Sequence, residues 1–259
     1  MLERFRRAKQ AEIQRLRDLE RKGRLPEFNF EPRPLLSEAL QDKTPCAVIA
    51  EYKRASPSKG EINLRLGPAD VARAYAEGGA AAVSVLTEED YFRGELEYVD
   101  QAAEASGLPV LRKDFVLDPL QVRQTAATKA SAVLLIARMF REPAELMRMI
   151  ALSGAAGLEA VVEVFDERDL EAARKASAAI IQVNNRDLDT LAVDLDNARH
   201  LARSKRDGEL WIAASGIAGG RDAADMAECG FDAVLVGTHL MARDDPGRAL
   251  RAMIREARK

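Results

Sequence analysis

After residue 45 the chain alternates between short β-branched apolar runs and Ala-rich stretches whose apolar residues recur every three or four positions. The runs Ala47–Tyr52, Ala82–Leu86, Val110–Lys113, Ala132–Ile136, Ala160–Val164, Ile180–Asn184, Trp211–Ser215 and Ala233–Gly237 predict eight strands. Amphipathic segments between them, among them Pro68–Glu77, Pro119–Thr128, Pro143–Ser153, Glu167–Lys175 and Gly220–Cys229, predict helices. Several open on Pro or an acidic residue, as a helix start should. Strand and helix alternating at this spacing imply right-handed βαβ units and a parallel sheet. Eight units favour a closed (β/α)8 TIM barrel, although an open doubly wound sheet also fits the alternation.

The strand ends decide between the two. Polar residues or Gly finish nearly every strand: Glu51 and Lys53, Thr87 and Glu88, Lys113, Arg138, Glu163, Asn184 and Arg186, Ser215-Gly216, and Gly237-Thr238. In a barrel these ends converge on the C-terminal rim, where barrel enzymes carry out their chemistry. Residues two apart in a strand share a side, so Glu51 and Lys53 are expected to face one polar site together.

Residues 1–45 stand outside the alternation and are expected to form an N-terminal helical extension to a single catalytic barrel domain, 46–259. Leu2, Phe5, Ile13, Leu16 and Leu19 recur at helical spacing amid Arg, Lys and Glu, giving one amphipathic helix before the Pro-containing segment Leu25–Pro34. Helical spacing leaves open whether this helix closes one end of the barrel or covers the active rim.

The rim residues suggest acid–base chemistry beside an anion site. Lys53 and Lys113 each end an apolar strand, where a lysine is either solvated at the rim or drawn into a pocket whose desolvation lowers its pKa and suits it to proton transfer; two of them at similar depth to two glutamates favour the pocket. Glu51 and Glu163 sit at similar depth and can act as acid and base partners. Asn184 and Arg186 offer an amide and a fork for a carboxylate. The small-residue turns Ser215-Gly216 and Gly237-Thr238 follow strands seven and eight, where barrels bind phosphate through backbone N–H groups. Lys59 is a weaker candidate for gripping an anion, while Arg93, Arg112 and Arg138 read as solvated rim charges. His200 reads as a surface residue, and His239 either lines the rim or caps a helix.

Composition removes several classes of function. Of the 259 residues 47% are hydrophobic, 31% charged and 5% aromatic, and the net charge of -3 lacks the basic excess of a nucleic-acid binder. Two His and the widely separated Cys46 and Cys229 give no metal-ligand spacing, and the two Cys read as small hydrophobes in a reducing compartment. The charged start Met-Leu-Glu-Arg-Phe-Arg-Arg has no apolar segment behind it, and no apolar run reaches membrane-spanning length. A cytoplasmic protein without a membrane or nucleic-acid partner is expected.

Six stretches together carry a resemblance: Ile49-Ala-Glu-Tyr-Lys-Arg-Ala-Ser-Pro-Ser-Lys-Gly60, Ser84-Val-Leu-Thr-Glu88 with Tyr91-Phe92, Arg112-Lys-Asp-Phe115, Val133-Leu-Leu-Ile-Ala137, Glu159-Ala-Val-Val-Glu163 and Val183-Asn-Asn-Arg-Asp-Leu188. From about residue 45 onward the chain resembles the indole-3-glycerol phosphate synthases of tryptophan biosynthesis. The resemblance implies a carboxy-lyase that converts 1-(2-carboxyphenylamino)-1-deoxyribulose 5-phosphate to indole-3-glycerol phosphate without a cofactor. It also implies that the N-terminal helix lies over the active rim. By the same resemblance Lys113 is the general acid toward the ribulose carbonyl, and Lys53 contacts the substrate carboxylate and assists dehydration. Glu163 exchanges protons in the later step, and Glu51 orients and polarises its neighbours. Asn184 and Arg186 hold the anthranilate carboxylate and hydroxyls, Phe115 lies in the pocket, and Ser56 lies on the first active-site loop. Ser215, Gly216, Gly237 and Thr238 form the phosphate cradle. A phosphorylated small molecule is the expected ligand, and a monomer or weak homo-oligomer the expected state.

The chain departs from the family pattern at Ala214, where a glutamate is usual, and also at Gln182, Phe165 and Thr238-His239. The missing carboxylate leaves room for two other readings, a paralogue with a changed phosphosugar substrate or a catalytically weak ligand-binding homologue.

Overall fold

The computed structural model describes residues 2–41, 45–187 and 191–259; Leu188, the last residue of the sixth stretch above, lies outside them. Eight parallel strands close a barrel: β1 (Ala47–Tyr52), β2 (Ala82–Leu86), β3 (Val110–Lys113), β4 (Ala132–Ile136), β5 (Glu159–Val164), β6 (Ile180–Asn184), β7 (Leu210–Ala214) and β8 (Ala233–Val236). Each pairs with its neighbours in sequence, and β8 closes on β1 through Ala47↔Ala233 to Ala50↔Val236. The closed ring decides against the open sheet.

Alternation along the strands sorts the side chains into two cores. Ala47 and Ile49 of β1, Leu111 of β3, Leu134 and Ile136 of β4, Val161 of β5, Ile180 of β6 and Ile212 of β7 fill the barrel interior. Val48, Ala50 and Tyr52, with the matching positions of the other strands, pack outward against the helices. Both faces are covered, so β1 is buried at all its positions and reads as a nearly continuous apolar run. The inward row of β1 goes 47, 49, 51, which brings Glu51 to the barrel axis at the C-terminal mouth.

Caps written into the sequence fix the helices. Pro119–Ala126 starts at Asp118 with a reciprocal capping box to Gln121, and Glu167–Lys175 and Pro246–Ala257 start at capping Asp166 and Asp245. Glu88, a polar strand end, accepts from the backbone N–H groups of Asp90, Tyr91 and Phe92 and so caps the turn Glu89–Phe92.

The N-terminal segment reaches both ends of the barrel. Helix α1 (Leu2–Arg21) lies over the C-terminal mouth, where Phe5 stacks on Phe115 with ring centroids 4.0 Å apart. The following stretch runs beside the C-terminus of Pro119–Ala126, and the Arg33 guanidinium donates to the carbonyls of Ala126 and Thr128. Helix α2 (Leu36–Gln41) then sits at the opposite end. Its Leu36 and Leu40 join the interior cluster, and its first N–H groups donate to the carboxylate of Glu159 at the start of β5. The extension therefore plugs the bottom of the barrel as well as covering the top.

A buried ion network fastens α1. Lys9, 4% exposed, lies 2.6 Å from both Asp114 and Glu12, and Arg112, 2% exposed, pairs with Glu12 at 3.2 Å and Asp114 at 3.1 Å. Thr87 and Thr125 hydroxyls complete it. Arg112 is thus no solvated rim charge: it points outward from β3, where Asp114 beside it and Glu12 of α1 neutralise it and Gln124 and Thr125 of the next helix accept further hydrogen bonds from it. Arg138 is also paired, with Asp166 and Asp169, and lies 4.1 Å over the Phe165 ring. Arg93 is exposed as expected.

Candidate active site

A cavity of about 740 Å³, partly open to solvent, lies at the C-terminal mouth under α1. Glu51, Lys53, Ser56, Lys113, Phe115, Glu163, Asn184, Arg186, Ser215 and Thr238 all line it, so ten residues singled out from the sequence meet in one place. Gly216 and Gly237 stand just behind this lining. Lys59 is exposed and outside it, His200 is exposed beside Glu167, and His239 faces a separate groove with Arg243 and Arg248.

Glu51 is the electrostatic hinge. One carboxylate oxygen is 2.7 Å from the Lys53 ammonium and the other 3.0 Å from that of Lys113. Burial alone would raise the Glu51 pKa, but the two lysines hold it down at about 2. Burial would likewise lower that of Lys113, yet the Glu51 and Glu163 charges leave it above the ordinary 10.5. This reverses the shift expected from the sequence and gives Lys113 a proton to donate at neutral pH. Glu163 moves the other way. Its burial outweighs Lys113 and the hydrogen bonds from Asn184 and Gln182, raising its pKa and making it a better proton acceptor than an ordinary carboxylate.

Backbone detail explains the small residues. A Cβ at Gly237 would lie 2.2 Å from Glu51 Oε1 and 3.1 Å from Lys53 Nζ, so only glycine lets the last strand end approach the bridge. Ser215 and Gly216 both adopt left-handed φ, 66° and 83°, and the Asn185 amide donates to the Ser215 carbonyl to hold that turn. A turn can present successive backbone N–H groups to an anion. Asn184 Oδ1 accepts from the Arg186 N–H, which leaves its amide N–H pair for Glu163, and an Arg186 guanidinium nitrogen donates to Leu191 O at 2.8 Å. Ala214 faces inward, wholly buried, where a carboxylate was expected.

Sequence reasoning missed the apolar half of the cavity: Phe5, Leu86, Leu134, Ile136 and Leu191. The helical period put Phe5 on the apolar stripe of α1. Nothing local says that this stripe covers the mouth and seats Phe5 directly on the Phe115 ring.

A lysine–glutamate–lysine bridge facing a second buried carboxyl in one cavity at the C-terminal mouth is the arrangement of an acid–base enzyme of the (β/α)8 class. Comparison narrows the class. The family model described as indole-3-glycerol phosphate synthase matches residues 2–253, and the chain belongs to that family. It is 42% identical over 221 residues to the indole-3-glycerol phosphate synthase of Carboxydothermus hydrogenoformans, covering 85% of this chain and 83% of the relative. With that of Shouchella clausii it shares 39% identity over 252 residues, 96% of each chain. Among solved structures, 3-hexulose-6-phosphate synthase from Salmonella typhimurium superposes with a TM-score of 0.64 over 81% of this chain and 97% of that one, at 14% identity, a likeness of fold alone.

Proposed function

We propose that the chain closes an indole ring, converting 1-(2-carboxyphenylamino)-1-deoxyribulose 5-phosphate to indole-3-glycerol phosphate with release of carbon dioxide and water. The observation that carries this reading is the Lys113–Glu51–Lys53 bridge facing Glu163 in one cavity, in a chain of this family. The aryl ring lies against the apolar wall that Phe115, Leu134 and Ile136 give the cavity, Asn184 and Arg186 meet its carboxylate and the sugar hydroxyls, and Ser56 closes the loop side. Ser215, Gly216, Gly237 and Thr238 receive the phosphate at the far end. Held so, the carboxylate-bearing ring carbon lies against the ketone carbon, and positioning supplies much of the acceleration.

Lys113 protonates the ketone oxygen as the carbon–carbon bond forms. The bond to the carboxylate then breaks, its electron pair restores the aromatic ring, and carbon dioxide leaves. Lys53 protonates the hydroxyl, which departs as water, and Glu163 takes the proton released as the new double bond forms. Glu51 holds both lysines in place and helps keep Lys113 charged. In this reading residues 46–259 are the catalytic unit and 1–45 its extension. It includes a cytoplasmic location, supported by the two free thiols; among the described residues no helix is long and apolar enough to cross a membrane.

The test is indole fluorescence over time after mixing the protein with the carboxyphenylamino-deoxyribulose phosphate. The expected result is a rise that Lys113→Ala lacks. A flat wild-type trace overturns the function, and full activity in Lys113→Ala overturns the general-acid assignment.

A further inference from the structure

Gln182 occupies an inward position of β6 on the barrel axis, fully buried and in register with Glu163 on β5. Its Nε2 donates to Glu163 Oε2 at 2.5 Å, while its Oε1 is buried without a partner. A buried amide with one bare end is a poor filler, because an unpaired acceptor carries its full desolvation cost, whereas Leu or Met would occupy the same space without it. Turning the amide over would set Oε1 against the carboxylate. The single polar contact that orients this side chain is therefore the one to Glu163. On the β7 side, the position in register with Asn184 is Ala214, which offers no hydrogen bond from its side chain.

We propose that Gln182 is a positioning residue for Glu163: its amide fixes the rotation of the carboxylate and favours the ionised form that accepts the proton. The proposal rests on Glu163 being the base of the reaction above. Charges facing this carboxylate are Lys113 and Glu51, with Lys53 bridged to Glu51 and Arg186 at the same mouth. None of these charged groups is a neutral donor; the other amide on the β6 wall, Asn184, also donates to Glu163, while its Oδ1 accepts from the Arg186 N–H.

The test compares wild type with Gln182→Met, which keeps length and volume but removes the donor, and with Gln182→Ala as a second, smaller replacement. Carboxyl-¹³C NMR of the Glu163 side chain, assigned with Glu163→Gln, follows its titration without any substrate, while steady-state kinetics follow the pH profile. The expected result is that Glu163 titrates at higher pH in both variants and the acid limb of kcat moves with it. With the carboxylate no longer oriented, kcat falls roughly tenfold while KM stays within about twofold. Folded variants whose Glu163 titration and acid limb coincide with wild type overturn the proposal and leave Gln182 a space-filler. A displaced titration in a protein without activity on the carboxyphenylamino-deoxyribulose phosphate supports the positioning role and overturns the proposed function instead.

Discussion

Replacing Glu51 by Gln keeps the shape of the bridge and removes the charge that two lysines share. A buried carboxyl held at about 2 against an ordinary 4.5 corresponds to about 3 kcal/mol of stability at neutral pH. That agrees with the ~3–5 kcal/mol usual for removing one partner of a buried pair. Because the folded value is the depressed one, this stability is fully present above pH 4.5 and drains away as pH falls toward 2. Urea midpoints for wild type and Glu51→Gln should therefore differ most at pH 7, with roughly half of the gap gone by pH 3. Lys113 in the variant retains Glu163 as its remaining negative neighbour against burial, so the alkaline limb of kcat should move down in pH. Equal midpoints at pH 7, or a gap that does not change with pH, would refute the argument that Glu51 is held ionised by the two lysines.

Two further outcomes follow from the same geometry. Lys9→Met leaves Arg112 as the remaining cation beside Asp114 and Glu12, and should lower stability by ~3 kcal/mol while making α1 accessible to limited proteolysis. Unchanged cleavage and an unchanged urea midpoint would show that the network does not fasten the helix. In wild type the active form has Glu163 ionised and Lys113 protonated. With both pKa values raised, kcat against pH should have its acid limb above 4.5 and its alkaline limb above 10.5. An acid limb below 4.5 would count against Glu163 as the base.

The strands and the chemistry on them were legible because a period of two and a charge at the end of an apolar run are local signals. All eight predicted strands appear with ends displaced by one residue at most, and Lys53, Lys113, Glu51 and Glu163 fall where the inward row meets the mouth. Arg112 was misread because its partner Glu12 is 100 residues away in the chain, a separation no window covers. Lys113 was read with the wrong sign of shift for the same reason: its own strand predicts burial, and only the fold brings Glu51 to it. Phe5 stood out only as part of a helix stripe and Gln182 only as a departure from the family pattern; their contacts with Phe115 and Glu163 stayed hidden because such residues are chemically silent until the opposite wall is known. The N-terminal helix was expected over the rim from resemblance, but the closure of the far end by α2 was not, since Leu36 and Leu40 form too short a pattern to stand out.

The strap-like course of the first 41 residues sets an order of assembly. Helix α1 leaves the ribosome before its docking surface, Arg112 to Phe115, which is made about 100 residues later, and the Glu159 carboxylate that receives α2 comes later still. Until then the apolar stripe of Phe5, Ile13 and Leu16 has nothing of its own chain to cover it, and the nascent protein carries an exposed segment of the kind that chaperones screen. A segment made before the barrel is thus among the last to be seated, and the cavity is complete only when strand ends as late as Thr238 are in place.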